Sequence, residues 1–84
     1  MRTTNNLATA THWKEYAAGA HDLANDSDGP GHAARKIVLK EAGNLTACVN
    51  PSGDDSPLTG LPAWFEHVGA VSSVESTAAF IAYW

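Results

Sequence analysis

Cysteine is almost missing from this sequence: Cys48 stands alone among 84 residues, so no disulfide can form within the chain. Basic residues are scarce as well, five Lys and Arg against nine Asp and Glu for a formal charge of −4. Without a basic patch to neutralise phosphates, nucleic acid is excluded as a partner. No apolar run approaches the roughly 20 residues that a membrane-spanning helix needs, and the opening residues lack the continuous apolar core of a signal peptide. The expectation is a soluble chain made in a cytoplasm, with no membrane partner. Phosphate-cradling glycine patterns, G-x-x-x-x-G-K-[ST] and G-x-G-x-x-G, do not occur. The four histidines, His12, His21, His32 and His67, lack the close Cys/His spacing of a zinc site. Neither a metal nor a cofactor is expected.

Length sets a further bound. A chain this short buries only about 60–65% of the surface its unfolded form exposes, and much of its 44% hydrophobic content is alanine. Small domains usually add disulfides, a metal or a partner chain to such a core. With the first two excluded, partner subunits are the expected stabiliser.

What is present is alternation. In residues 35–40, Ile37 and Leu39 alternate with Lys36, Val38 and Lys40; in residues 45–50, Leu45, Ala47 and Val49 alternate with Thr46, Cys48 and Asn50. Period two predicts strands with one face buried, and Gly43-Asn44 between them predicts a tight turn, so residues 34–50 read as a hairpin. Residues 21–32 and 51–57 read as loops from their Asp, Asn, Ser, Gly and Pro, with Leu23 the one apolar anchor of the first. Pro62 argues against a central strand around it. Strand character resumes over residues 64–74, where Gly69 predicts a bulge or a close backbone approach, and residues 76–84 form a last strand. Both faces of that strand are apolar, which places it in the middle of a sheet or between two packed layers. Residues 12–20 fit a short helix or an extended segment, with Gly19 and the shortness of the run favouring extended or irregular structure. The resulting expectation is an all-β domain over residues 21–84, a small antiparallel β-sandwich or partly closed barrel. A polar arm or short irregular segment occupies residues 1–20, and its first eleven residues are free or laid along a neighbour.

The sequence offers no active site, and the expectation is that the protein is not an enzyme. Cys48 and His67 form a nucleophile pair only if the fold brings them within hydrogen-bond reach, and a lone strand cysteine is usually a packed hydrophobe. Glu41, Glu66 and Glu75 are separated carboxylates, best read as exposed residues. Asp22, Asp26 and Asp28 before Gly29 have a superficial likeness to a calcium loop. Aligning Asp26, Asp28 and Gly29 to the third, fifth and sixth loop positions puts Ala24 first and Arg35 twelfth, where ligands belong, so a solvated acidic turn is the reading.

The positive signal is aromatic. Adjacent Trp64 and Phe65 point to opposite faces if extended, so one of them faces away from the core. Trp13, Trp64, Phe65, Tyr83 and Trp84 are the candidate interface residues, because large rings are enriched as interface anchors. The alternatives are that both sheet faces are covered within one sandwich, or that exposed rings stack on sugars as a carbohydrate-binding or adhesion module.

Taken in order, Arg35-Lys36-Ile37-Val38-Leu39, Ala42-Gly43-Asn44-Leu45-Thr46, Thr59-Gly60-Leu61-Pro62, residues 71–75 and the closing Thr/Ala-rich run to Trp84 resemble a family of small phage and gene-transfer-agent virion proteins, among them head-spike base proteins. The resemblance covers residues 34–84. It implies a non-enzymatic structural component located in a virion, which decorates the capsid or forms the base of a head spike or fibre. Its partners would be copies of itself and other capsid or virion proteins.

Overall fold

The computed structural model describes residues 10–49 and 54–84. The protein is all-β, a single antiparallel sheet of seven strands. In chain order these are β1 (Trp13–Tyr16), β2 (Gly19–Asp22), β3 (Ala34–Leu39), β4 (Gly43–Val49), β5 (Asp54–Leu61), β6 (Glu66–Ser76) and β7 (Phe80–Tyr83). Among the described residues the one helix is a 3-10 turn at Leu23–Asn25.

Everything is hung on β6, the longest strand. One edge of it takes β3 along residues 66–71 and β2 along residues 73–76, and the other edge takes β4 along residues 71–76. β7 then adds to β3, β1 to β7 and β5 to β4. Because β1 runs into β2 after two residues, the pairing path from β6 through β3, β7 and β1 returns to β6. β6 bends to permit this. Against β3, the step from Lys36 to Ala34 is matched by the longer step from Val68 to Val71, and against β4, Ser72 is an extra residue between the partners of Cys48 and Val49. Extra residues of this kind bend a strand and increase its twist. Gly69 lies in the first irregularity, as its break in the alternation predicts.

The inner face holds one core, with Phe80, Leu23, Ile37, Leu39, Val71 and Val74 as its largest fully buried side chains. Phe80 stacks on Tyr16 at 5.1 Å. Residues 23–33 interrupt what is otherwise one line of pairing along β6, since Asp22 faces Ser73 and Ala34 faces Val71. That excursion is tied down by Leu23 and by Asp26, whose carboxylate accepts from the Tyr16 hydroxyl at 2.6 Å, the Lys14 ammonium at 2.8 Å and the Asp28 amide at 3.0 Å. The bonds from Lys14 and Tyr16 hold the Asp26 carboxyl down at about 2, while burial and the facing carboxylate push the Tyr16 phenol up.

Several expectations are corrected. Residues 35–50 are two strands but not a hairpin: β3 and β4 lie on opposite edges of β6, both antiparallel to it, and therefore run the same way. Alternation specifies a half-buried strand, not its partner, and β6 offers two edges. Gly43 is accordingly not a positive-φ turn residue. A Cβ there would lie 2.8 Å from Thr77 Oγ1 and 3.0 Å from the Ala78 Cβ, so glycine serves close approach instead. Over residues 12–20 the extended reading holds and the helix does not, but β1 and the start of β2 are paired sheet strands and not an arm, so the boundary placed between residues 20 and 21 falls inside β2. His21 and Asp22 belong to β2 and Asp54–Pro57 to β5, although both stretches read as loop. β5 is an edge strand, and Pro62 follows it. The last strand begins at Phe80, residue 76 ending β6 instead, and it sits between β1 and β3 in mid-sheet as its two apolar faces require. The arm proposed for residues 1–11 lies, up to residue 9, outside the described residues.

Candidate interaction surface

Residues paired across antiparallel strands share a face, so the registers place the outer side chains in rows. In the half of the sheet built from β1, β7, β3 and the start of β6, one outer row is Trp13, Tyr83, Lys36, Val68 and the next is Glu15, Ile81, Val38, Glu66. Trp13 is 63% exposed, and Val68 is also exposed. Val38 is buried yet stands outside the inner core cluster, which fits its place on the outer side. The patch is thus an aromatic and aliphatic surface with charges set into it. Lys36 Nζ lies 4.6 Å from the Tyr83 ring centroid and 3.0 Å from Glu66 Oε2. Lys40 Nζ meets Glu15 Oε2 at 2.7 Å. Partly exposed ion pairs contribute at most about 1 kcal/mol each, so their main effect is to neutralise the face.

At the β5–β6 turn, the Phe65 amide donates to the Pro62 carbonyl at 3.3 Å, with Trp64 at the third turn position and φ of 63°. Glycine or asparagine ordinarily fills a positive-φ turn position. A tryptophan there costs on the order of 1–2 kcal/mol of backbone strain. Two bonds to β3 hold the geometry, Trp64 N–H to the Leu39 carbonyl at 2.6 Å and Leu39 N–H to the Phe65 carbonyl at 2.8 Å. The Trp64 side chain is 62% exposed.

The five candidate interface residues therefore divide. Trp13 and Tyr83 are direct cross-strand partners on the outer face. Trp64 is exposed at the turn, whereas Phe65 packs against the core, so this pair does split between inside and outside, through a turn and not through strand alternation. Trp84 is half-buried and stacks on His12 at 5.9 Å with 15° between the rings, and its carbonyl accepts from the Thr11 and His12 amides. Sequence reasoning missed Val38, Lys36, Val68, Ile81 and Glu66 as members of the same face. The parity of residues 35–40 already put Lys36 and Val38 together; what was missing was that β7 and β6 flank that strand.

The other half of the outer surface differs in kind. Across β2, β6, β4 and β5 run the rows Asp22, Ser73, Cys48, Asp55 and Ala20, Glu75, Thr46, Pro57. They floor an open groove of about 730 Å³ whose lining includes Asp22, Asp55 and Glu75 and no Lys or Arg. Cys48 faces this groove. His67, paired with Ile37, is on the inner face, so the proposed Cys48–His67 pair is not brought together. His67 Nε2 is buried without a hydrogen-bond partner, and burial lowers its pKa below the usual 6.5. Glu66 and Glu75 stand on different halves of β6, and Glu41 is exposed in the β3–β4 link, so the three glutamates are not gathered either. Among the described residues no group of three or more His, Cys, Asp or Glu is placed to hold a metal, and Asp26 spends its carboxylate on Lys14, Tyr16 and Asp28. No helix among the described residues is long and apolar enough to cross a membrane.

No protein-family model, curated protein or solved structure matches this chain.

Proposed function

We propose that this chain is a non-enzymatic structural component of a phage-like virion, which decorates the capsid or forms the base of a head spike or fibre by burying its aromatic outer face against other protein. The observation that carries the association half of this reading is Trp13 beside Tyr83, in one outer row with Lys36 and exposed Val68, on a small domain whose inner face already has its own core. An exposed ring of this size is a liability for a solitary molecule and an anchor for an assembled one. The virion half rests on the resemblance carried by residues 34–84. Imaging of intact particles from producing cells, with the chain located by antibody label, tests it: density at symmetric shell or spike positions is expected, and a chain found only in the particle-free fraction overturns it.

A second reading has one specific observation in its favour. Trp13 and Tyr83 lie side by side with Lys36, Glu15 and Glu66 around them, the arrangement of stacking rings beside polar groups that a sugar-binding platform uses. Titration with oligosaccharides, followed by Trp fluorescence, separates the two. Saturable quenching in the isolated chain supports the sugar platform; rings shielded only in the assembled particle support the structural role.

A further inference from the structure

We propose that the outer face of β1, β7, β3 and β6 is a two-fold self-association surface, in which the aromatic row of one chain packs on that of a second copy and Lys36 of each chain meets Glu66 of the other. The inference rests on the reading that this face is covered by protein, and it names the protein that covers it.

Charge selects the partner. The chain carries −4, so two copies repel, and the groove half presents Asp22, Asp55 and Glu75 with no cation among its lining residues. The two ion pairs set into the aromatic face, Lys36–Glu66 and Lys40–Glu15, are two charges of each sign and cancel. A like-charged copy therefore meets least repulsion at this face. A two-fold contact also requires the patch to complement itself, residue i against j and j against i. Two cations and two carboxylates around shared apolar rows meet that requirement.

The position of Lys36 makes the exchange specific. It stands in the same row as Trp13, Tyr83 and Val68, so covering those side chains also covers its ion pair. An ammonium carries three donors and a carboxylate about four acceptor sites. Within one chain, Lys36 contacts Glu66 and the Tyr83 ring, which leaves capacity on both partners for the second copy. Burying a charge pair is tolerated only where such extra bonds are made.

Sedimentation equilibrium of the isolated chain from micromolar to millimolar concentration tests this with Trp13→Ser, Lys36→Glu and Glu66→Lys, each first checked for a native circular dichroism spectrum. Wild type should dimerise, and each variant alone should weaken the dimer at least about tenfold. Mixing Lys36→Glu with Glu66→Lys should restore it, because opposite charges then face each other only between chains. A wild-type chain that stays monomeric throughout, a dimer indifferent to Trp13→Ser, or a mixture that fails to recover each overturns the inference. So does an oligosaccharide that quenches Trp13 while the chain remains monomeric. A monomeric chain that is nonetheless found in particles separates failure here from failure of the structural role, which the images decide independently.

Discussion

The two halves of the outer surface share one sheet and one strand, β6, yet present opposite chemistries. Over β1, β7, β3 and the start of β6 the surface is rings and aliphatics with paired charges; over β2, the end of β6, β4 and β5 it is a groove of hydroxyls, a thiol and unpaired-sign carboxylates. The inner faces do not differ in this way, because both halves contribute to the same apolar cluster. Stability therefore does not explain the contrast. A sheet needs one buried face to fold, and the composition of the other is free to answer to partners. On the reading proposed above, one half is the face that a partner covers, and the other, with like charge at its rim, would repel a second copy of itself.

The largest effect should abolish the contrast altogether. Phe80 is fully buried at the start of β7, stacked on Tyr16, and belongs to the core beneath both halves. Phe80→Ala removes a large buried ring and should cost about 3–5 kcal/mol, a large share of the stability of so small a domain. In a background with Trp64 and Trp84 replaced by Phe, fluorescence of Trp13 reports the aromatic half, and thiol labelling of Cys48 reports the groove half. In urea, both transitions should shift together to lower denaturant. If labelling of Cys48 moved while the Trp13 signal did not, the two halves would have separate cores and the comparison would fail.

A smaller effect should originate beneath one half. His67 lies on the inner side of the aromatic half, with its Nε2 buried and unpartnered, so the fold favours the neutral ring and its pKa is lowered by burial. The unfolded chain then binds more protons just below 6.5, and stability rises with pH in that window. The contribution is fully present above 6.5 and is lost as pH falls from there towards the folded value. Asp26, held at about 2 against an ordinary 3.8, contributes stability that disappears only below 3.8, so it does not confuse the window. Stability measured by urea midpoint between pH 7 and pH 5 should fall, with both probes moving together because the halves share one core. His67→Leu should flatten that part of the slope.

Much of this was legible in the residues. Alternation in residues 35–40 and 45–50 marked β3 and β4, Gly69 marked the bulge, Leu23 marked the loop anchor, and the two apolar faces of residues 80–83 marked a mid-sheet strand. Pairing was not legible, because period two is the same whether a strand's neighbour is its successor, as β5 is for β4, or, as for β3, a strand twenty or more residues on. Asp54, Asp55 and Pro57 read as loop by local preference, but an edge strand tolerates both charge and a missing N–H. Of the candidate surface, Trp13, Trp64 and Tyr83 were visible as surplus rings. Lys36, Val68 and Glu66 became part of it only once the register was known, and no local signal marked Trp64 as a left-handed turn residue.

That turn gives the smallest effect and the most direct probe of whether exposed rings here serve the fold. Trp64 combines a positive φ, which disfavours a bulky residue, with a side chain left mostly in solvent. Neither property stabilises the monomer. Asparagine tolerates the same backbone region with less strain. Trp64→Asn should therefore raise stability by about 0.5 kcal/mol, within the range of ordinary surface substitutions but opposite in sign to most of them. The Leu39 and Phe65 backbone bonds should persist, since neither uses the Trp64 side chain. Thermal unfolding of the two proteins at concentrations where both are monomeric measures the difference. A variant less stable than the parent would mean that Trp64 packs on its own domain after all, and would move this ring from the exposed surface to the structure that supports it.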